Sequence, residues 1–179
     1  MQELMSKLFR FGAVLAPAGI IALASACAAV VSPAPQRADP PIPSVATATN
    51  DAGEEIVVRT NAERKRLGLT TLARNAALMN AAQLQANQMA ARNRMAHELP
   101  GAAYPSLGSR LDAVGYRMRA SGENVAEGYP SAAAVVAGWM TSPGHRDNIV
   151  STRFTEMGAG VATAKNGRTF YTQVFASPR

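Results

Sequence analysis

Thiols are almost absent: the 179-residue chain holds one cysteine, Cys27. Neither an internal disulfide framework nor a cysteine-rich zinc module can be built from it. Aromatic residues make up only 6% and include one tryptophan, so a core must rest on small and aliphatic side chains. Histidine is limited to His97 and His145. Several enzyme templates fail on these counts. His97-Glu98-Leu99-Pro100 is no zincin motif, because no second histidine follows four residues on and Pro100 would break the helix. A Gly-x-Ser-x-Gly elbow is missing. Gly158 and Gly160 form no nucleotide fingerprint, since Thr163 replaces the third glycine and the run has the pattern of a strand.

The remaining composition is ordinary. Hydrophobic residues at 47% and charged residues at 17% describe a globular chain. The length suits one domain with extras. Lys and Arg outnumber Asp and Glu by 18 to 12, for a net charge of +6. The arginines are scattered rather than gathered on one periodic face, so they read as solvated surface and no nucleic-acid partner is expected.

The first residues carry an address. Residues 1–26 have the form of an export signal: Lys7 and Arg10, an apolar stretch from Phe11 to Ala24 interrupted by Pro17 and Gly19, then Leu23-Ala24-Ser25-Ala26-Cys27. The apolar run is shorter than the ~20 residues of a spanning helix. Cys27 stands where a bacterial lipoprotein signal, which this stretch resembles, would expose it for lipidation. The pattern departs at Ala24, where an aliphatic residue is usual. Cleavage after Ala26 without lipidation is the alternative. The first reading gives a cell-envelope lipoprotein held to the membrane through its lipid, the second a secreted or periplasmic protein. Residues 27–50, with Pro33, Pro35, Pro40, Pro41 and Pro43, read as an extended linker. Residues 51–179 then form the working domain.

Within it, Asp51 and Glu54 predict a helix start, with Ile56, Thr60, Asn61 and Arg64 along the helix and a stop near Gly68. Asn75 caps a second helix reaching about Arg94, with Met79, Ala82, Ala86, Met89 and Ala90 on its core face. Ser106 starts a third, ending at Gly115. Ser131 caps a fourth, in which Val135, Val136, Trp139 and Met140 turn inward. Ser142-Pro143 ends that helix and opens a short fifth. Residues 155–164 and 168–176 predict a hairpin around Asn166-Gly167, both residues tolerating positive φ. Gly158 and Gly160 allow close approach to the strand backbone.

Three residues stand out for chemistry. Glu123 lies in the polar run Ser121-Gly122-Glu123-Asn124 before an apolar stretch. His145 lies in the first turn of a helix, whose dipole favours the neutral ring. Neutral imidazole is the metal-binding form. With His97 these residues would suit a divalent-metal or water-activating site if the chain brought them together. Structural hydrogen bonding of each histidine is the other reading.

The residues Gly122-Glu123-Asn124-Val125-Ala126, then Gly138-Trp139-Met140-Thr141-Ser142-Pro143-Gly144-His145-Arg146-Asp147-Asn148, then Phe154-Thr155-Glu156-Met157-Gly158-Ala159-Gly160-Val161 resemble the bacterial branch of the CAP superfamily, also called the SCP domain. Asn61-Ala62-Glu63-Arg64, Met95-Ala96-His97 and Gly115-Tyr116 fit the same pattern. The resemblance implies an α+β fold, a three-layer α-β-α sandwich with a mainly antiparallel central sheet. It also implies a cleft of two histidines and two glutamates, described in the family as a site for a divalent metal such as zinc. His97, Glu123 and His145 match three of those positions, and Ser142 stands where the second glutamate is expected. Three functions follow as expectations. The first and preferred one is a binding or interaction module for an envelope or extracellular ligand. The second is a metal-assisted, peptidase-like hydrolase with His97 and His145 as ligands and Glu123 as general base. The third is a carrier of a lipid or other small apolar ligand.

Overall fold

In the computed structural model the described backbone runs from Val45 to Arg179 and the described side chains from Asp51. The export signal, Cys27 and most of the proline-rich stretch lie outside the described residues.

The first helix, α1 (Val45–Arg66), begins before Asp51. The 50/51 boundary between linker and domain therefore falls inside a helix. Nothing between Pro43 and Asp51 breaks helical geometry, and the Asp51–Glu54 pair sits within the helix instead of opening it. Ile56, Thr60 and Arg64, four residues apart, form the fully buried stripe of α1. The helix gives way to Gly68 at φ +72°. A two-residue strand β1 (Ala73–Arg74) leads into α2 (Ala76–Arg92). Asn75 caps α2 by accepting hydrogen bonds from the backbone N–H groups of Ala77 and Leu78. Met79, Ala82, Ala86 and Met89 are buried as expected, and Ala90 is half-buried. Helix α3 (Leu107–Ala113) has a capping box between Ser106 and Ser109. Strand β2 (Met118–Glu127) follows, then α4 (Ala132–Thr141), α5 (Pro143–Val150), β3 (Glu156–Thr163) and β4 (Thr169–Pro178).

The four strands form one sheet in the order β1-β3-β4-β2. β3 and β2 each pair antiparallel with β4, whereas the short β1 pairs parallel with β3. The sheet is thus mixed, antiparallel except at β1. Helices cover both faces, as the alternation of side chains along β3 shows. Met157, Ala159 and Val161 pack with Ile56 of α1 and Val135 and Trp139 of α4. Gly158 and Gly160 face α2. The three-layer α+β expectation holds.

The hairpin joining β3 and β4 turns through the three residues that the expected strand bounds leave between them, but only one of Asn166 and Gly167 takes positive φ. Among the described non-glycine residues only Asn93 has positive φ, so Asn166 does not. The Gly167 N–H donates to the Ala164 carbonyl and the Ala164 N–H to the Arg168 carbonyl. Lys165-Asn166-Gly167 therefore forms a three-residue loop, with Gly167 alone in the left-handed region.

The close approach at the two strand glycines is severe. A Cβ at Gly158 would lie 2.2 Å from the backbone of Leu78 and Met79, and one at Gly160 would lie 2.4 Å from the Gln83 nitrogen. Helix α2 thus rests its backbone on β3, leaving no room for even a methyl group. Gly158→Ala should lower stability by about 2–3 kcal/mol through overpacking, seen as a reduced urea midpoint. An unchanged midpoint would mean that α2 does not lie this close to the strand.

Candidate functional site

Strand β2 is at the edge of the sheet, and its residues point alternately to the two helical layers. Glu123 and Val125 face α2 and α3, while Asn124 faces α5. Asn124 Nδ2 donates to the His145 carbonyl at 3.1 Å, and Asn148 Nδ2 donates to Asn124 Oδ1 at 2.9 Å. These bonds tie α5, and with it His145, to the strand that carries Glu123. His97 arrives on the loop after α2. Gln85 Nε2 donates to its carbonyl at 3.2 Å and to that of Ala96.

Glu123 is almost fully buried, and both of its oxygens are engaged. Oε2 accepts from Arg110 Nη2 at 2.6 Å, and Oε1 lies 2.9 Å from His97 Nδ1. Arg110 comes from α3 and its side chain is fully buried. Its other bonds, to the carbonyls of Tyr104 at 3.4 Å and His97 at 3.5 Å, are long. The buried guanidinium therefore depends on Glu123 for its charge balance. Arg110 carried no signal in the sequence, because a lone arginine in a short helix reads as surface.

The carboxylate fixes the tautomer of His97. Nδ1 carries the proton and Nε2 is turned away on a side chain that is 57% exposed. The hydrogen bond and charge of Glu123 raise the His97 pKa above its usual value, against opposing effects of burial and of the Arg110 charge. His145 Nδ1 lies 2.9 Å from Ser142 Oγ. Ser142 begins α5, but its hydroxyl bonds the imidazole instead of a backbone N–H. Burial, then the neighbouring His97 charge, lower the His145 pKa. The two histidines are thus pushed apart, His97 upward and His145 downward.

The structure therefore brings His97 together with Glu123, and His145 together with Ser142. Each pairing fixes Nδ1 and leaves Nε2 without a hydrogen-bond partner among the described residues. Glu123 orients a histidine and balances an arginine. No group of three or more His, Cys, Asp or Glu able to hold a metal occurs among the described residues. A catalytic zinc takes three protein ligands and a structural one takes four. His97 and His145 alone offer two imidazole nitrogens, fewer than either kind of site takes.

Beside His145 a groove of about 280 Å³ runs along β2, lined by Val125, Glu127, Tyr129, Trp139 and Met95. Tyr129 lies against Gly138, where a Cβ would meet its hydroxyl at 2.3 Å. Trp139 is buried and donates from Nε1 to the Val125 carbonyl at 3.4 Å. Its expected role as a core anchor holds, although one side of it also forms the groove wall.

Residues 57–175 match the model of the CAP family, the cysteine-rich secretory protein family. The chain belongs to this family. It does so with one cysteine, so packing and polar ties alone hold this CAP domain together. Among curated relatives, the Bacillus subtilis protein YkwD is 35% identical over 107 residues, 60% of this chain and 41% of that protein. The B. subtilis membrane protein YlbC is 38% identical over 72 residues, 40% of this chain and 19% of YlbC. The chain thus spans less than half the length of either relative. Of solved structures, an extracellular SCP-domain protein from Bacillus anthracis aligns with TM-score 0.66 and 29% identity, over 78% of this chain and 45% of that one. An outer surface protein of Borrelia burgdorferi shares the fold at TM-score 0.64 and 19% identity, over 70% of this chain and 92% of that one.

Two predictions test the site. In an NMR pH titration His97 should titrate above 6.5 and His145 below it, and Glu123→Gln should bring His97 down. The raised His97 pKa gives stability that is complete below the unfolded value and is lost as pH rises through the folded value. The lowered His145 pKa gives stability present above 6.5 and lost as pH falls through its folded value. A His97 titration unmoved by Glu123→Gln would remove the carboxylate as its cause. Second, Arg110→Met should cost about 3–5 kcal/mol, because it strands a buried carboxylate. Arg110→Met/Glu123→Gln should cost less than the sum of the single changes in urea melts. Additive costs would show that the two groups do not depend on each other.

Proposed function

We propose that this CAP domain is an exported binding module of the cell envelope, held to the membrane by a lipid on Cys27, whose cleft recognises a ligand without turning it over. The observation that carries this reading is the double engagement of Glu123. A general base must lie within hydrogen-bond reach of the water it activates. Here the carboxylate is almost fully buried, with one oxygen on a buried arginine and the other on His97. With Ser142 where a second glutamate would stand, the cleft has no other carboxylate at that position. A groove of about 280 Å³ accommodates a side chain or a small group. It is below the usual range for pockets that enclose a lipid or drug-sized molecule. Export is supported by the signal-like first residues and by the likeness to an SCP-domain protein described as extracellular. Among the described residues no helix is long and apolar enough to cross a membrane.

A divalent ion such as zinc would be held by Nε2 of His97 and His145, and would offer an open coordination position to a ligand atom. This second reading draws on the fixed Nδ1 partners of both rings, the usual support for a metal-bound imidazole.

The test is calorimetric zinc titration of the full chain, with peptide turnover followed in parallel. Weak zinc binding that disappears in His97→Ala/His145→Ala, with no turnover, is expected. Zinc-dependent peptide cleavage abolished by Glu123→Gln would establish the hydrolase instead. In a bacterial host the chain should take up a palmitate analogue and lose it in Cys27→Ser. Labelling unaffected by that change would remove the anchor.

A further inference from the structure

The two edges of the sheet are finished differently. Along β3, residues of odd number turn their backbone groups away from β4. The Ala159 N–H meets Met79 Sδ at 3.1 Å, and the Val161 N–H meets Gln83 Oε1 at 3.2 Å. Gln83 Nε2 in turn donates to the Val161 carbonyl at 2.9 Å. Side chains of α2 thus take the place of a further strand and close that edge.

The edge at β2 is closed only by half. Its even-numbered residues bond toward β4, in register with Gln173 and Phe175 at Asn124 and Gly122. The run ends with the Gly128 N–H on the Thr169 carbonyl. Its odd-numbered residues therefore present their N–H and carbonyl groups outward. The Glu123 carbonyl accepts from Asn148 Nδ2 at 3.2 Å, and the Val125 carbonyl accepts from Trp139 Nε1. The Val125 and Glu127 N–H groups and the Glu127 carbonyl meet no partner among the described residues. Both residues line the groove beside His145. Two outward N–H groups two residues apart are the hydrogen-bond pattern that an incoming extended chain completes.

We propose that the cleft binds an extended peptide that adds as a strand to the outer edge of β2 at Val125–Glu127, with an apolar side chain against Tyr129 and Trp139. This names the ligand class for the binding module proposed above, and rests on that reading. A peptide chain supplies the acceptors that the two N–H groups lack. A lipid would fill the apolar part of the groove and leave both amides unpaired.

The test begins with randomised, acetylated hexapeptides bearing a free C-terminal carboxylate, selected on the immobilised full chain. Enrichment of peptides with an apolar residue at one fixed position is expected. In a selected peptide, N-methylation at the amides facing β2 should weaken binding about tenfold, while methylation at the alternate amides should leave it unchanged. Amide exchange should slow at Val125 and Glu127 in the complex. Glu127→Pro deletes one outward N–H without touching the β4 ladder, as a proline on an edge strand can, and should weaken binding about tenfold. If that variant fails to fold, the N-methyl series decides from the ligand side. No enrichment, equal effects in both N-methyl registers, or protection elsewhere would overturn the proposal. Mass spectrometry of the recovered peptides separates the two readings. Cleaved peptides would overturn the binding module itself, whereas intact peptides that never bind would overturn only the strand-addition mode.

Discussion

The cleft depends on one buried carboxylate shared between two cations. Glu123 is held in β2, Arg110 in α3 and His97 on the loop after α2, so three separate pieces of chain meet at two oxygens. Burying an ion pair repays its desolvation only when the geometry is good and the remaining lone pairs are used. Here both oxygens have partners, and the arrangement sets the tautomer and direction of the His97 ring. A single unpaired carboxylate at this depth would instead take up a proton. The balance at Glu123 therefore couples the placement of α3 to the chemistry presented at the cleft.

Much of this was legible in the chain. Helix starts at Asn75, Ser106 and Ser131 follow from side chains that accept hydrogen bonds from the first turn, and each one caps in the structure. The hairpin follows from Asn166-Gly167, although only the glycine takes positive φ. Strand β2 was not legible. Its buried, polar and charged residues break simple alternation, because Glu123 is inward-facing and paired while Asn124 is inward-facing on the opposite side. Local pattern cannot register a charge whose partner lies elsewhere in the chain. For the same reason Arg110 was invisible, and nothing in the local sequence tied Glu123 to it. The start of α1 at Val45 was missed because a cap signal inside a helix looks the same as one at its end.

The glycines of β3 explain how the histidines come to share one end of the sheet. Gly158 and Gly160 let α2 lie directly on β3. The end of α2 and the His97 loop are thereby placed over the α3-side face, where Val125 packs with Met89 and Leu99. On the other face, Asn124 and Asn148 draw α5 against the same strand. His97 and His145 thus approach from opposite layers and can meet only beyond the edge of β2. A central strand would have kept them apart. The cleft consequently exists because β2 is an edge strand.

That origin also bears on what the cleft can hold. An edge strand offers backbone groups as well as side chains, and natural sheets normally cover such an edge. In this domain the opposite edge is closed by Met79 and Gln83, so the sequence does contain the means of closing one. At β2 the side chains of Asn148 and Trp139 take up the carbonyls of Glu123 and Val125, while the amides beside the histidines keep no partner among the described residues. Ser142 contributes in the same sense. With a hydroxyl in place of a carboxylate, it steadies His145 without adding negative charge to the groove. The free N–H donors and the rings of Tyr129 and Trp139 sit beside one groove. Unpaired donors two residues apart favour a ligand that brings acceptors at the spacing of an extended backbone.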